Sequence, residues 1–202
     1  MRTGIFGGTF NPPHLGHARA LECFIEKAML DRVYVIPTYL PPHKALPEKW
    51  AGFEDRLNMC SLAFSSLDKR CDVVFSDIEK RIFEKDGEKS YTWKTLELLK
   101  KDGEKNLCLY MGTDMFLTLD KWKRPDFILK NTEIWVMPRE DLQEASLVDF
   151  KNTLFKKYPD SSINIIDSSP IAASSTDVRR GGFTLLCPEV REYIVSKGLY
   201  VD

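Results

Sequence analysis

The sequence has no excess of charge of either sign, with 29 lysines and arginines against 30 aspartates and glutamates. A chain that grips nucleic acid through its phosphates needs a basic surplus, because neutralising those phosphates dominates such affinity. Nucleic-acid binding of that kind is therefore excluded. Cysteines are few: Cys23, Cys60, Cys71, Cys108 and Cys187 are odd in number, widely spaced and mostly set among apolar neighbours, as in Leu107-Cys108-Leu109. They read as buried thiols of a reducing compartment, not as a disulfide framework. Long hydrophobic runs are also missing. The residues from Met1 to Phe6 turn into glycines and a proline pair before an apolar stretch can form, which excludes a signal peptide and a membrane span and leaves the cytoplasm. There are no repeats, no low-complexity tracts and no composition shift. The expectation is one domain, 1–202, with a C-terminal helical portion from about 174.

What is present is alternation. Gly4-Ile5-Phe6, Val33 to Ile36, Val73 to Phe75, Leu107 to Tyr110, Ile134 to Met137 and Ile163 to Ile166 have the composition of strands. Leu15 to Leu30, Phe53 to Leu67, Thr92 to Lys101 and Leu142 to Lys157 carry apolar residues at three- and four-residue intervals, as amphipathic helices do. Such alternation predicts an α/β fold, a Rossmann-like doubly wound parallel sheet with helices on both faces. Ligands of such sheets bind at the strands' carboxyl ends, where strand order reverses. The proline-rich stretch from Thr38 to Gly52 reads as a long loop, and Lys85 to Lys89 as a surface turn.

Directly after the first strand comes Gly7-Gly8-Thr9-Phe10-Asn11-Pro12-Pro13-His14-Leu15-Gly16-His17. Glycines let a backbone approach a ligand closely; Asn11 is a candidate helix cap, with the prolines at the first helical positions. His14 and His17, three apart, project near one another at a helix start, where free N–H groups and the dipole attract phosphate. His-x-x-His spacing also suits zinc, but no third ligand lies nearby and His43 is across a strand and a loop.

Gly-Gly-Thr-Phe followed by Pro-x-His-x-Gly-His resembles the signature of the nucleotidyltransferases that share His-x-Gly-His with class I aminoacyl-tRNA synthetases. More narrowly, the chain resembles the bacterial nicotinate-nucleotide adenylyltransferases, over most of its length from Gly7 to Arg179. The resemblance implies transfer of an adenylyl group from ATP to nicotinate mononucleotide, with Mg²⁺ held mainly by the phosphates, and no nucleic-acid or membrane partner. It implies that Gly7, Gly8, Thr9, Phe10, His14 and His17 hold ATP. Pro41-Pro42-His43-Lys44 is similar to the family's Pro-Pro-His-Lys loop, which makes Lys44 a cation for substrate phosphates. Ser90-Tyr91-Thr92 is similar to the Tyr-Thr element of the pyridine site, although Lys94 stands where the family commonly has an acid. Gly112-Thr113-Asp114 resembles a Gly-x-Asp element whose acid contacts the ribose of ATP. Trp122 matches a tryptophan that stacks on the pyridine ring, and Arg139 a substrate-binding arginine. Ala173-Ser174-Ser175-Thr176-Asp177-Val178-Arg179 resembles Ile-Ser-Ser-Thr-x-x-Arg, which closes over the triphosphate, with Ala173 replacing the usual larger aliphatic.

Ordinary roles account for several of these residues taken singly. Lys44 and Arg139 read equally as solvated surface cations, Thr92 as a cap and Trp122 as core filling. Arg56, in Asp55-Arg56-Leu57-Asn58-Met59, also resembles a family pattern, and an exposed helix ion pair explains it equally well. The hydroxyls from Ser174 to Thr176 can cap a helix, but capping does not explain Arg179 one turn along. Leu185 to Lys197 reads as a terminal helix stopped by Gly198.

In the expected reaction the mononucleotide's phosphate attacks the α-phosphorus of ATP in line and pyrophosphate leaves, so the protein positions and stabilises charge. The catalytic assignments are His14, His17, Lys44 and Arg179. Two other readings remain open: a sister nucleotidyltransferase acting on phosphopantetheine or transferring a cytidylyl group, and a nucleotide-binding module without chemistry. Oligomeric state has no signal in the sequence.

Overall fold

The computed structural model describes residues 1–41, 49–67, 70–87, 89–138, 144–167 and 173–200. Six strands, β1 (Thr3–Gly8), β2 (Arg32–Pro37), β3 (Asp72–Phe75), β4 (Leu107–Gly112), β5 (Glu133–Met137) and β6 (Ser162–Ile165), form one sheet. All its pairings are parallel, in the order β3-β2-β1-β4-β5-β6. The order reverses between β1 and β4, which therefore flank the crevice where such sheets take ligands.

The helices are α1 (Leu15–Ala28), α2 (Phe53–Phe64), α3 (Ile78–Asp86), α4 (Thr92–Lys101), α5 (Thr113–Phe116), α6 (Pro125–Asn131), α7 (Glu144–Lys157), α8 (Ser175–Arg179) and α9 (Pro188–Lys197). Because side chains alternate across a strand, the four central strands feed two cores. Ile5, Ile36, Leu109, Ile134 and Val136 meet α3, α4, α6 and α7 on one face. Phe6, Val33, Val35, Cys108 and Met137 meet α1 and α2 on the other. The doubly wound arrangement expected from the sequence is thus the one found. A third cluster joins Ala51 and Met59 to Val178, Val190 and Ile194, and seats α8 and α9 against α2.

Three helices escaped the sequence pattern. What reads as a surface turn at Asp86-Gly87 is the end of α3, capped by Gly87 at φ 68°. α5 and α6 are four and seven residues long, too short for a periodicity to register. No helix among the described residues is long and apolar enough to cross a membrane.

Candidate active site

The loop from β1 to α1 is built around aromatic packing. Phe10 takes a left-handed conformation, φ 47°, and its ring is buried against Phe6 at 5.7 Å and edge-on to His17 at 5.1 Å. A Cβ on Gly8 would lie 2.7 Å from the Phe10 ring, whereas one on Gly7 would meet nothing within 4 Å. Gly8 is thus demanded by the protein's own packing, and Gly7 faces open space.

His14 is the residue that caps α1, not Asn11. The His17 backbone N–H donates to His14 Nδ1 at 3.4 Å and the His14 N–H donates to His17 Nδ1 at 3.3 Å, a reciprocal capping box built from two imidazoles. The rings lie against one another, 3.7 Å between centroids and tilted by 31°. Since each Nδ1 accepts a backbone proton, a neutral ring carries its own proton on Nε2, at the far side from the helix. The first turn of α1 holds no acidic residue, so its dipole is left to an anion from outside. Gly16 makes the stack possible: a Cβ there would sit 3.1 Å from the His14 ring and 3.2 Å from the Ala173 Cβ.

Asn11 is a buried hub. Its amide donates to the Lys49 carbonyl at 3.0 Å, and its Oδ1 accepts from the Ala51 N–H at 3.0 Å and from the Tyr200 hydroxyl at 2.7 Å. Burial pushes the Tyr200 hydroxyl's pKa up. Pro12 and Pro13, expected inside the helix, precede its cap.

The segment from Ala173 to Arg179 lies across this loop. Ser174 caps α8, accepting from the Asp177 N–H at 3.1 Å. Ser175 Oγ donates to the Pro12 carbonyl at 2.8 Å, and Arg179 donates to the Asn11 carbonyl at 2.6 Å and to Thr176 Oγ1 at 3.2 Å. Residues some 160 positions from the histidines in sequence therefore reach the same loop, Ser175 spanning 163 positions.

Across the crevice, Gly112 starts α5 at the carboxyl end of β4, and Asp114 is exposed in its first turn. Thr92 opens α4 but does not cap it: the cap is Tyr91, with no side-chain bond. Trp122 is half-buried, its Nε1 donating to Thr118 Oγ1 at 3.3 Å. Lys123 over the Tyr91 ring at 4.1 Å and Arg124 over Trp93 at 4.8 Å bring the Thr92 and Trp122 segments together. Lys94 is drawn to Asp86 at 3.0 Å. Pro42, His43, Lys44 and Arg139 lie outside the described residues.

Two further groups stand otherwise than the sequence indicates. Arg56 is not in an exposed ion pair; its side chain is fully buried and, among the described residues, contacts no carboxylate. Glu79 accepts the Tyr39 N–H at 3.0 Å, and burial pushes its carboxyl up to about 7. Arg56 falls on a local family pattern, but its burial depends on Thr9, 47 positions away, and Glu79 is held by Tyr39, 40 positions away, so neither environment shows locally. Among the described residues no three His, Cys, Asp or Glu side chains cluster to hold a metal ion.

A family described as cytidylyltransferase-like matches residues 5–181. A protein of Caldicellulosiruptor saccharolyticus carrying the name nicotinate-nucleotide adenylyltransferase is 34% identical over all of both chains. A Flavobacterium johnsoniae protein of the same name is 34% identical over 99% of each. Among solved structures, Plasmodium falciparum nicotinic acid mononucleotide adenylyltransferase complexed with NaAD superposes with a TM-score of 0.75, covering 98% of this chain and 97% of that one at 16% identity, a likeness of fold.

Proposed function

Because the chain belongs to the cytidylyltransferase-like family and, within it, to the nicotinate-nucleotide adenylyltransferases, we propose that it transfers an adenylyl group from ATP to nicotinate mononucleotide, releasing pyrophosphate and deamido-NAD. The observation that carries the reading is the His14–His17 capping box at the switch point of the sheet, with Arg179 brought beside it.

The triphosphate enters the mouth between β1 and β4. Gly7 leaves room for it, while Gly8, Thr9 and Phe10 shape the loop. Ser174 and Ser175, whose hydroxyl protons go to Asp177 and to the Pro12 carbonyl, hold the segment over the loop, while backbone N–H groups, the Nε2–H of His14 and His17, the Thr176 hydroxyl and the Arg179 fork are donors. Their complement is an anion whose charge grows in the transition state. Such a donor set does not ligate a cation. Mg²⁺ therefore travels on the phosphates, where it screens their charge. Asp114, at the end of β4, takes the ATP ribose. Thr92 and Trp122 hold the pyridine ring, with backbone N–H groups at the start of α4 donating to the nicotinate carboxylate. Lys44 is assigned to the substrate phosphates and Arg139 to substrate binding, on the resemblance alone. The mononucleotide phosphate then attacks in line. We assign the whole chain, 1–202, to one such catalytic domain working in the cytoplasm.

The test is a panel of acceptors, namely nicotinate mononucleotide, nicotinamide mononucleotide, phosphopantetheine and glycerol phosphate, each offered with ATP and with CTP. Pyrophosphate release is expected with ATP and nicotinate mononucleotide. Preferred release with CTP or phosphopantetheine would assign a sister activity, and ATP binding without any product would leave a binding module.

A further inference from the structure

Arg56 stands in the first turn of α2 with its side chain fully buried. Nε donates to the Ala51 carbonyl at 3.2 Å and Nη1 to the Thr9 carbonyl at 2.8 Å. The Trp50 ring lies 4.5 Å from the guanidinium and the Phe53 ring 5.7 Å. Among the described residues Nη2 finds no acceptor. Glu79 acts on this charge only at a distance, and burial lowers the guanidinium's pKa.

Enclosing a cation without a touching counter-charge is costly, and an apolar side chain of similar volume fills such a niche with less penalty. Fold stability therefore does not explain Arg56. What no apolar side chain can do is hold the Thr9 carbonyl. The Thr9–Phe10 peptide is trans, since among the described residues only the Asn11–Pro12 bond is cis. In a planar trans peptide C=O and N–H point in opposite directions. With the Thr9 carbonyl drawn to Arg56, the Phe10 N–H is turned away from α2. The Phe10 backbone meanwhile sits in the left-handed region at φ 47°, which L-residues other than glycine resist, so this peptide needs an external hold.

We propose that Arg56 is a positioning residue of the triphosphate cradle: by fixing the Thr9–Phe10 peptide it aims the Phe10 amide at the nucleotide and seats the ring against which His17 packs. This deepens the adenylyl-transfer reading and rests on it. Arg56→Met keeps the bulk and removes every donor, whereas Arg56→Lys keeps the charge and reaches a single carbonyl. In Arg56→Met the KM for ATP is expected to rise about tenfold or more, with the KM for nicotinate mononucleotide held within about twofold and Arg56→Lys falling between. A folded Arg56→Met whose KM for ATP is unchanged overturns the proposal. Native turnover measured alongside keeps the two readings apart, because an inert native enzyme counts against the function and not against Arg56. Should either variant fail to fold, ¹⁵N-labelled native protein decides: a non-hydrolysable ATP analogue, added alone, shifts the Phe10 amide resonance downfield. A Phe10 amide that stays put while its loop neighbours move overturns the assignment.

Discussion

At the scale of single residues, the site is a set of donors whose directions are fixed by other donors. His17 illustrates this, since its Nδ1 is engaged by the His14 N–H and its proton is thereby directed outward. Replacing His17 with alanine removes one transition-state donor and about 3 kcal/mol of stabilisation. A fall of roughly a hundredfold in kcat is expected, with the melting temperature lowered only slightly. Parental turnover by purified His17→Ala would dismiss the role given to the imidazole. Gly16→Ala is the complementary probe, for it adds no charge and removes no donor. Its Cβ would press at 3.1 Å on the His14 ring and 3.2 Å on Ala173. Activity should drop at least about tenfold while unfolding in urea changes by about 1 kcal/mol or so; kinetics identical to the parent would show the stack to be unimportant.

Glu79 gives a pH signature at the same scale. Its carboxyl titrates near 7 in the fold instead of 4.5, so between those values the unfolded chain has lost a proton that the folded one keeps. Stability contributed by the protonated group is full below pH 4.5 and declines as pH rises toward 7. Glu79→Gln can still accept the Tyr39 N–H and never ionises. It should therefore match the parent at pH 4 and exceed it by about 2 kcal/mol at pH 8. Urea titrations at both values check this, and equal gaps at the two would refute the burial of that charge.

At the scale of elements, the sequence announced what is long and regular. All six strands and the four longest expected helices were legible, because period-two and period-3.6 patterns need several residues to emerge. α4 begins at Thr92 and ends at Lys101 as the periodicity alone indicates. α5 and α6 were hidden by brevity, and α3 by a mean polarity that made its end look like a turn. The motif residues were legible, but their geometry was not. Asn11 has the composition of a cap, and only its partners at Lys49, Ala51 and Tyr200 reveal a hub. α8 is five residues long and owes its order to Ser174 and to contacts with the opposing loop. Ser174→Ala should cost about 1 kcal/mol of local stability and show itself as a raised KM for ATP, because Arg179 rides on the same helix. An unaltered KM would separate the cap from nucleotide binding.

At the scale of the molecule, the loops that follow β1 and β4 flank the switch point of the sheet, while a third core ties the C-terminal helices to α2. Tyr200 extends that tie to the loop, its hydroxyl on Asn11 and its carbonyl accepting from Lys49 at 3.4 Å. Tyr200→Phe leaves Asn11 Oδ1 with one donor fewer. A loss of about 1 kcal/mol in urea unfolding is expected, together with weaker ATP binding by calorimetry; a variant equal to its parent in both would make the contact incidental.

That contact spans 189 positions, so it has a timetable. During translation Asn11 leaves the ribosome early, yet its final partner is made only when residue 200 is added. A chain that stops short of Tyr200 emerges with its glycine loop lacking one anchor.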